Sequence, residues 1–248
     1  LIDIHSHVIY GVDDGSRSLE QSLEMLALAA AHGTTDLVAS PHANSRFPYQ
    51  KDVNLARLAE LQAAEPRVRL HLGCDFHLTY ENVLAAVADP AFYSINGHGY
   101  LLVEFPDTTV FKQTEEILAH LQHAGLVPII THPERSWVLQ QHFDRLAAWV
   151  KHGSLIQVTG QSLTGRFGTK AQQFAEKLIQ AGLVHFVASD AHDAQDRTPR
   201  LDTAYETITQ RWDAALAGLL LEENPRAVLD GKPVTPPKPR RKKLFGWL

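Results

Sequence analysis

Short apolar, β-branched runs alternate along the chain with longer stretches whose apolar positions recur at helical spacing. Seven runs read as strands: LIDIH at 1–5, TDLVAS at 35–40, VRLHLGC at 68–74, YLLVEF at 100–105, VPIIT at 127–131, SLIQVT at 154–159 and VHFVAS at 184–189. Several are apolar at consecutive positions, as strands buried on both faces of a parallel sheet require. The segments between them are amphipathic. In SLEQSLEMLALAAAHG, Ser18 and Gln21 form a Ser-x-x-Gln capping box and Gly33 closes the helix. TEEILAHLQHAG at 114–125 and KAQQFAEKLIQAG at 170–182 also stop on Gly before the next strand. This rhythm predicts an α/β fold in which helices wrap parallel strands. No repeat is close enough to indicate a solenoid.

Composition narrows the picture. A length of 248 residues suits a single α/β barrel, which uses roughly 200–250 residues. With 44% hydrophobic and 21% charged residues, the chain can bury a core and is not of the disordered class. The net charge of −5 conceals a split: residues 232–248 carry six Lys or Arg, four Pro and no acid, leaving 17 basic against 28 acidic residues before them. That places a domain boundary near Gly231 and predicts a flexible basic tail. No apolar run approaches the roughly 18 residues of a membrane span, and Leu1-Ile2-Asp3-Ile4-His5 is not a leader segment, so a cytoplasmic location is expected. The single Cys74 excludes an internal disulfide and agrees with a reducing compartment. Fourteen His beside one Cys and one Met mean that any bound metal has imidazole and carboxylate ligands, a set suited to zinc, manganese or iron.

In a parallel barrel the strand C-termini converge on one face, where catalytic groups gather. The first strand ends in His5-Ser6-His7, the second leads to His42, and the third to Asp75. The fourth carries Glu104, the fifth leads to His132, and the seventh to Asp190 and His192. Any one of these alone reads as a surface or capping residue. Recurrence at six of seven strand ends is what makes them a candidate metal cluster. His5 and His7 alternate on one side of an extended segment, so both reach one ion, and Asp190 with His192 repeats the spacing. Asp13 and Asp14 follow in the first loop, where helix capping competes with coordination. The other nine histidines (His32, His71, His77, His98, His120, His123, His142, His152 and His185) read as structural or exposed. His77, two residues past Asp75, is the one in doubt.

The order DIHSH, SPH, GCDF, EF, THPER, SDAH resembles the polymerase and histidinol phosphatase superfamily. Within it, DIHSHVIYGVDDGSRSLEQSLEML, ITHPERS and FVASDAHDAQDRTPRL are most similar to the bacterial manganese-dependent tyrosine-protein phosphatases of capsule and exopolysaccharide operons. The resemblance spans residues 1 to about 230. It implies a distorted seven-stranded (β/α) TIM-like barrel with a trinuclear site for Mn, with Zn or Fe as alternatives. His5, His7 and Asp190 would hold one ion, Glu104 and His132 a second, and Asp14, His42 and His192 a third. Asp75 would bridge the first two, one methylene shorter than the Glu usual there. Arg135 and Arg197 match phosphate-binding positions, and a guanidinium fork pairs well with phosphoryl oxygens.

The implied substrate is a phosphotyrosine protein, a membrane-bound bacterial tyrosine kinase above all. The phenolic leaving group, with a pKa near 10, departs without a dedicated general acid. Cys74 does not open a Cys-x5-Arg phosphate loop, because Tyr80 stands six positions on. A histidinol-phosphate-like activity and a non-catalytic phosphoprotein-binding module are the rival readings. The acidic barrel argues against a nucleic-acid partner. Phe47 and Tyr49 either flank a phosphotyrosine ring or pack on the barrel rim. The tail, with Leu244, Phe245, Trp247 and Leu248, is either solvated or a weak membrane-surface contact, each basic residue contributing about 1 kcal/mol at an anionic bilayer.

Overall fold

The computed structural model describes residues 1–106 and 108–242. Nine strands form, all paired in parallel: β1 (Ile2–Ser6), β2 (Asp36–Ala39), β3 (His42–Ala43), β4 (Arg69–Leu72), β5 (Asp75–His77), β6 (Tyr100–Glu104), β7 (Val127–Thr131), β8 (Leu155–Thr159) and β9 (Phe186–Ala188). They make a three-stranded sheet, β1-β2-β4, and a six-stranded sheet, β3-β5-β6-β7-β8-β9. The molecule is thus an α/β protein built on parallel sheets.

The seven expected runs each contain a strand. Just beyond the second and third, after a break at Ser40-Pro41 and at Gly73-Cys74, a further short strand follows that the sequence reading did not expect. Pro41 has no N–H to give to a ladder. Backbone bonds nevertheless carry the pairing across the break, from Gly73 N to Ala39 O (2.9 Å) and from Asp75 N to Pro41 O (3.1 Å). At the other margin Asp190 N donates to His5 O and His7 N to Ala191 O, both at 2.8 Å, joining the chain after β9 to β1. The second sheet is therefore bonded to the first through the chain after β9, and at the other margin the chain itself runs from β2 into β3 and from β4 into β5.

Burial on both faces explains the continuous apolar runs. All of β1, β2 and β9 is buried. Along β6, Tyr100 and Leu102 pack with Ile4, Val38, Ile129 and Phe186, whereas Leu101 and Val103 pack with helix residues such as Leu118 and Leu121. Alternate side chains thus feed two cores, the period-two rule of a strand. On the helix Leu19–Ala31, Ser18 caps by accepting from Gln21 N at 3.3 Å. Gln21 Oε1 accepts from Arg17 N, one residue before the position a capping box would use. Gly33, Gly125 and Gly182 follow their helices with φ of 84°, 87° and 71°, the left-handed turn that lets the chain reverse toward the next strand.

After Gly231, residues 232–242 have no helix or strand. The segment is nonetheless tied down: Tyr100 Oη donates to Lys232 O at 2.6 Å, Thr235 N to Asn224 Oδ1 at 3.0 Å, and Arg240 N to Gln180 O at 3.0 Å. Leu244, Phe245, Trp247 and Leu248, the apolar part of the expected membrane contact, lie outside the described residues.

Candidate metal centre

The strand ends bring all nine sequence-derived candidates into one cluster. His7, Asp14, His42 and His192 offer atoms within 4.8 Å of one another, as do His5, His7 and Asp75, and likewise His5, His132 and Asp190. Glu104 joins through His132, whose Nε2 lies 3.7 Å from Glu104 Oε1. A fourth group contains His42, Asp75, Glu104 and also His77.

Imidazole orientation is set from behind. His5 Nδ1 donates to Gln157 Oε1 (3.1 Å), His7 Nδ1 to Asp13 Oδ2 (2.7 Å) and His192 Nδ1 to Asp190 O (3.0 Å). In the neutral form of each ring Nε2 is then the lone-pair bearer. The Nε2 atoms of His5 and His7 converge to 3.3 Å, and both lie close to Asp190 Oδ1, at 3.4 and 3.2 Å. This back-bonded arrangement fixes tautomer and direction in metal-ligating histidines.

Asp13 therefore neither caps the first helix, which Ser18 does, nor joins the inward group. It accepts from His7, from Gly15 N (2.9 Å) and from His42 N (3.1 Å). Asp14 faces His42 Nε2 at 3.2 Å and His192 Nε2 at 3.6 Å. Gln157 escaped the sequence reading because it sits inside β8, the strand with no metal-competent end residue. Its signal was a lone polar residue in an otherwise apolar run.

The donor set fits divalent cations. Asp75 is fully buried with no well-placed hydrogen-bond donor at either carboxylate oxygen, and what approaches it is imidazole nitrogen, His42 Nδ1 at 3.1 Å and His5 Nε2 at 3.6 Å. Glu104 Oε2 likewise meets the imidazoles of His77 and His42. Two such carboxylates cost several kcal/mol each without a cation. Burial, and then the charge of Asp75, raise the pKa of Glu104. Burial opposes the protonation of His7, yet Asp13 prevails and its pKa rises to about 9. His42 rises to about 11 against the same penalty, through Asp14 and Asp75. Carboxylates thus favour the positive form of His7 and His42, whereas burial pushes His132 and His192 down and keeps them neutral. Binding of cations would release the protons of the first pair.

Both arginines reach the cluster on Asp190. Arg135 Nη1 pairs with Asp190 Oδ2, and Arg197 Nη2 meets the same oxygen at 2.5 Å. Burial opposes the charge of Asp190, and Arg135, His5 and Arg197 outweigh it, holding the carboxyl well below the usual range. The Arg135 guanidinium also lies 4.4 Å over the Phe167 ring. Arg197 Nε is buried with no hydrogen-bond partner, a donor left over for a ligand. A cavity of about 120 Å³ opens beside Glu104, Thr131, His132, Arg135 and Ser136.

Of the two aromatic candidates, Phe47 lies parallel to the His42 ring, centroids 6.0 Å apart. Tyr49 instead packs on Phe92 and Tyr93 and donates its hydroxyl to Gly73 O at 3.0 Å, so it belongs to the rim packing. Cys74 is fully buried, and burial pushes its thiol well up, which removes it as a nucleophile.

A parallel α/β frame that carries a buried imidazole and carboxylate cluster, with two arginines at its mouth, defines a metal-dependent hydrolase for an anionic ester. The chain belongs to the family of capsular polysaccharide synthesis proteins CpsB/CapC, which it matches over residues 1–230. It is 34% identical over 203 residues to the putative tyrosine-protein phosphatase CapC of Staphylococcus aureus, covering 79% of each chain. It is 32% identical to the tyrosine-protein phosphatase YwqE of Bacillus subtilis, with both chains fully covered. Its fold superposes with a TM-score of 0.87, at 30% identity and over 96% of this chain and 99% of the other, on a structure described with YwqE and Streptococcus pneumoniae CpsB as unique metal-dependent tyrosine phosphatases. A likeness to a β-aspartyl dipeptidase of Fervidobacterium islandicum, with a TM-score of 0.57 at 15% identity over 96% of this chain and 75% of the other, is one of fold alone.

Proposed function

We propose that this chain is a protein-tyrosine phosphatase dependent on three divalent ions, manganese in the working enzyme, that dephosphorylates a bacterial tyrosine kinase governing capsule or exopolysaccharide synthesis. The observation that carries the reading is the buried Asp75 carboxylate, with no well-placed donor at either oxygen and imidazole nitrogens converging on it. Relatives named as tyrosine-protein phosphatases, matched along nearly their whole length, supply the substrate class. His5, His7 and Asp190 would hold one ion, Glu104 and His132 a second, and Asp14, His42 and His192 a third, with Asp75 between the first two. The bonds from the chain after β9 to β1, and the direct run of the chain from β2 into β3 and from β4 into β5, support reading the two sheets together as a distorted seven-stranded barrel.

Bound divalent ions supply Lewis-acid polarisation of the phosphoryl group and water acidified towards a pKa of about 7. The chain's own residues do the rest. Arg135 and Arg197 orient the phosphoryl oxygens through their N–H forks. Asp190 keeps both guanidinium groups aimed at the centre, and Phe167 braces Arg135 from outside. Asp13 and Gln157 hold His7 and His5 in the tautomer that presents Nε2. Phe47, beside His42, offers a face for the aromatic ring of the substrate. No side-chain nucleophile takes part.

The test is chelation followed by repletion. Stripped protein should hydrolyse neither p-nitrophenyl phosphate nor a phosphotyrosine peptide, and Mn²⁺ should restore both. Parallel assays with a phosphoserine peptide, histidinol phosphate and single-stranded DNA should show markedly lower turnover. Turnover insensitive to chelator would overturn the metal requirement, and preference for histidinol phosphate would overturn the substrate class.

A further inference from the structure

His77 lies outside every ligand group assigned so far, yet the sheet register puts it at the centre of one. On β5, Asp75 and His77 point to the same face, and Phe76 between them is buried in the core. The register pairs His42 with Asp75 across β3 and β5, and His77 with Glu104 across β5 and β6. Two neighbouring cross-strand pairs thus make a four-residue patch, and all four side chains offer atoms within 4.8 Å of one another. His77 Nε2 touches Glu104 Oε2 and lies 3.3 Å from His42 Nδ1.

The state of that nitrogen follows from Asn44. Asn44 Oδ1 accepts from the backbone N–H groups of Arg46 (2.9 Å) and Phe47 (2.8 Å). Its other terminal atom, the amide nitrogen, therefore faces His77 Nε2, at 3.1 Å, and donates to it. His77 Nε2 is thus unprotonated, and its one lone pair, engaged by the Asn44 amide in the metal-free chain, lies against a Glu104 oxygen, where an ion would take it over from the amide. Lone pair against lone pair is repulsive unless a cation lies between them.

We propose that His77 is a tenth metal ligand, an imidazole donor to the ion shared by Asp75 and Glu104. It offsets the short reach of Asp75 by bringing a further donor from the next inward position of the same strand. Asn44 acts on it as a positioning residue that holds the ring in the metal-free chain and yields Nε2 to the ion. The inference rests on the metal-centre reading above.

Metal binding itself is the readout. Wild type, His77→Ala, His77→Gln and the exposed control His123→Ala are stripped, loaded with Mn²⁺, passed through gel filtration and analysed for metal per chain. Titration with Mn²⁺ follows, and X-ray absorption of the loaded proteins counts imidazole ligands. The expected result is about a tenfold to hundredfold weaker binding of one ion in both His77 variants, the scale of losses around metal ligands. One imidazole fewer should appear at the metal in His77→Gln, while His123→Ala matches wild type. The metal-free melting temperature reports folding, and His77→Gln, which keeps size and polarity, stands in should His77→Ala not fold. Unchanged affinity and imidazole count in a folded His77 variant would refute the inference alone. A wild type that retains no metal would instead refute the reading beneath it.

Discussion

Among the described residues, three non-glycine residues have left-handed backbones: Asn96, His132 (φ 33°) and Asp190 (φ 51°). Such conformations cost of order 1–3 kcal/mol and persist where the surroundings over-determine them, as at functional sites. His132 and Asp190 are both candidates identified by their strand-end positions, and both follow the last residues of their strands directly or nearly so. The turn that re-aims each side chain into the centre is thus local to the residue. Arg135, three residues after His132, profits from the same turn, its N–H donating to His132 O at 3.0 Å. For Arg135→Ala we expect kcat/KM on a phosphotyrosine peptide to drop by roughly 10²–10³, the range for removing one preorganised donor. Metal content should be retained, because Arg197 still neutralises Asp190. Arg135→Lys should recover little, since an ammonium lacks the planar fork. Loss of metal together with activity would show that Arg135 supports the ligands rather than the phosphate.

Elements explain what was legible in the sequence and what was not. The strands β6, β7 and β8 read cleanly because apolar residues fill both faces from end to end. In β6 and β7 the C-terminal residues accordingly stood out as the only polar groups, whereas in β8 Gln157 interrupts the run. Asp75 and His42 were harder, since each was read as following a strand, whereas each opens a short second strand after a break. A break that preserves pairing leaves no trace in hydrophobic pattern, and so His77, inward-facing by the renewed alternation, looked like a loop residue. Asp13 and Gln157 were hidden differently, because a supporting role depends on contacts between elements distant in sequence. The first loop shows how tightly such support is built. Gly11 N and Ser16 N bond to Ser16 O and His7 O, and a Cβ on Gly15 would lie 2.3 Å from His7 O. No flexible end can give way there. Gly15→Ala should therefore cost about 1–3 kcal/mol, the scale of overpacking, and displace Asp13 and Asp14 together. The protein should retain less metal after gel filtration and melt at a lower temperature. Wild-type metal content in this variant would mean that the loop does not position the ligands.

At the scale of the whole molecule, the proposed centre would draw its ligands from the first loop, from β1 and the residue after it, from β3, β5 and β6, and from the turns after β7 and β9, so that binding there would link both sheets. Ions that bind only the folded chain stabilise it by about 2.7 kcal/mol at a hundredfold excess over Kd. In a protein of this size that corresponds to a melting temperature about 5–10 °C above that of the chelated form. The gap should depend on pH in a defined direction. In the metal-free chain the pKa of His7 is about 9 against its ordinary 6.5. Its proton therefore stabilises the metal-free fold fully below pH 6.5, and that contribution is lost as pH climbs through 9. The metal-bound fold has the opposite dependence, because a ligating nitrogen must be unprotonated and ions compete better as protons grow scarce. Both effects widen the difference as pH rises from about 6.5 to 9. Melting curves with Mn²⁺ and with chelator, taken at half-unit steps over that window, measure it directly. A gap that stayed constant or narrowed would mean that the ions displace no proton from His7, and the imidazole cluster would not be where they bind.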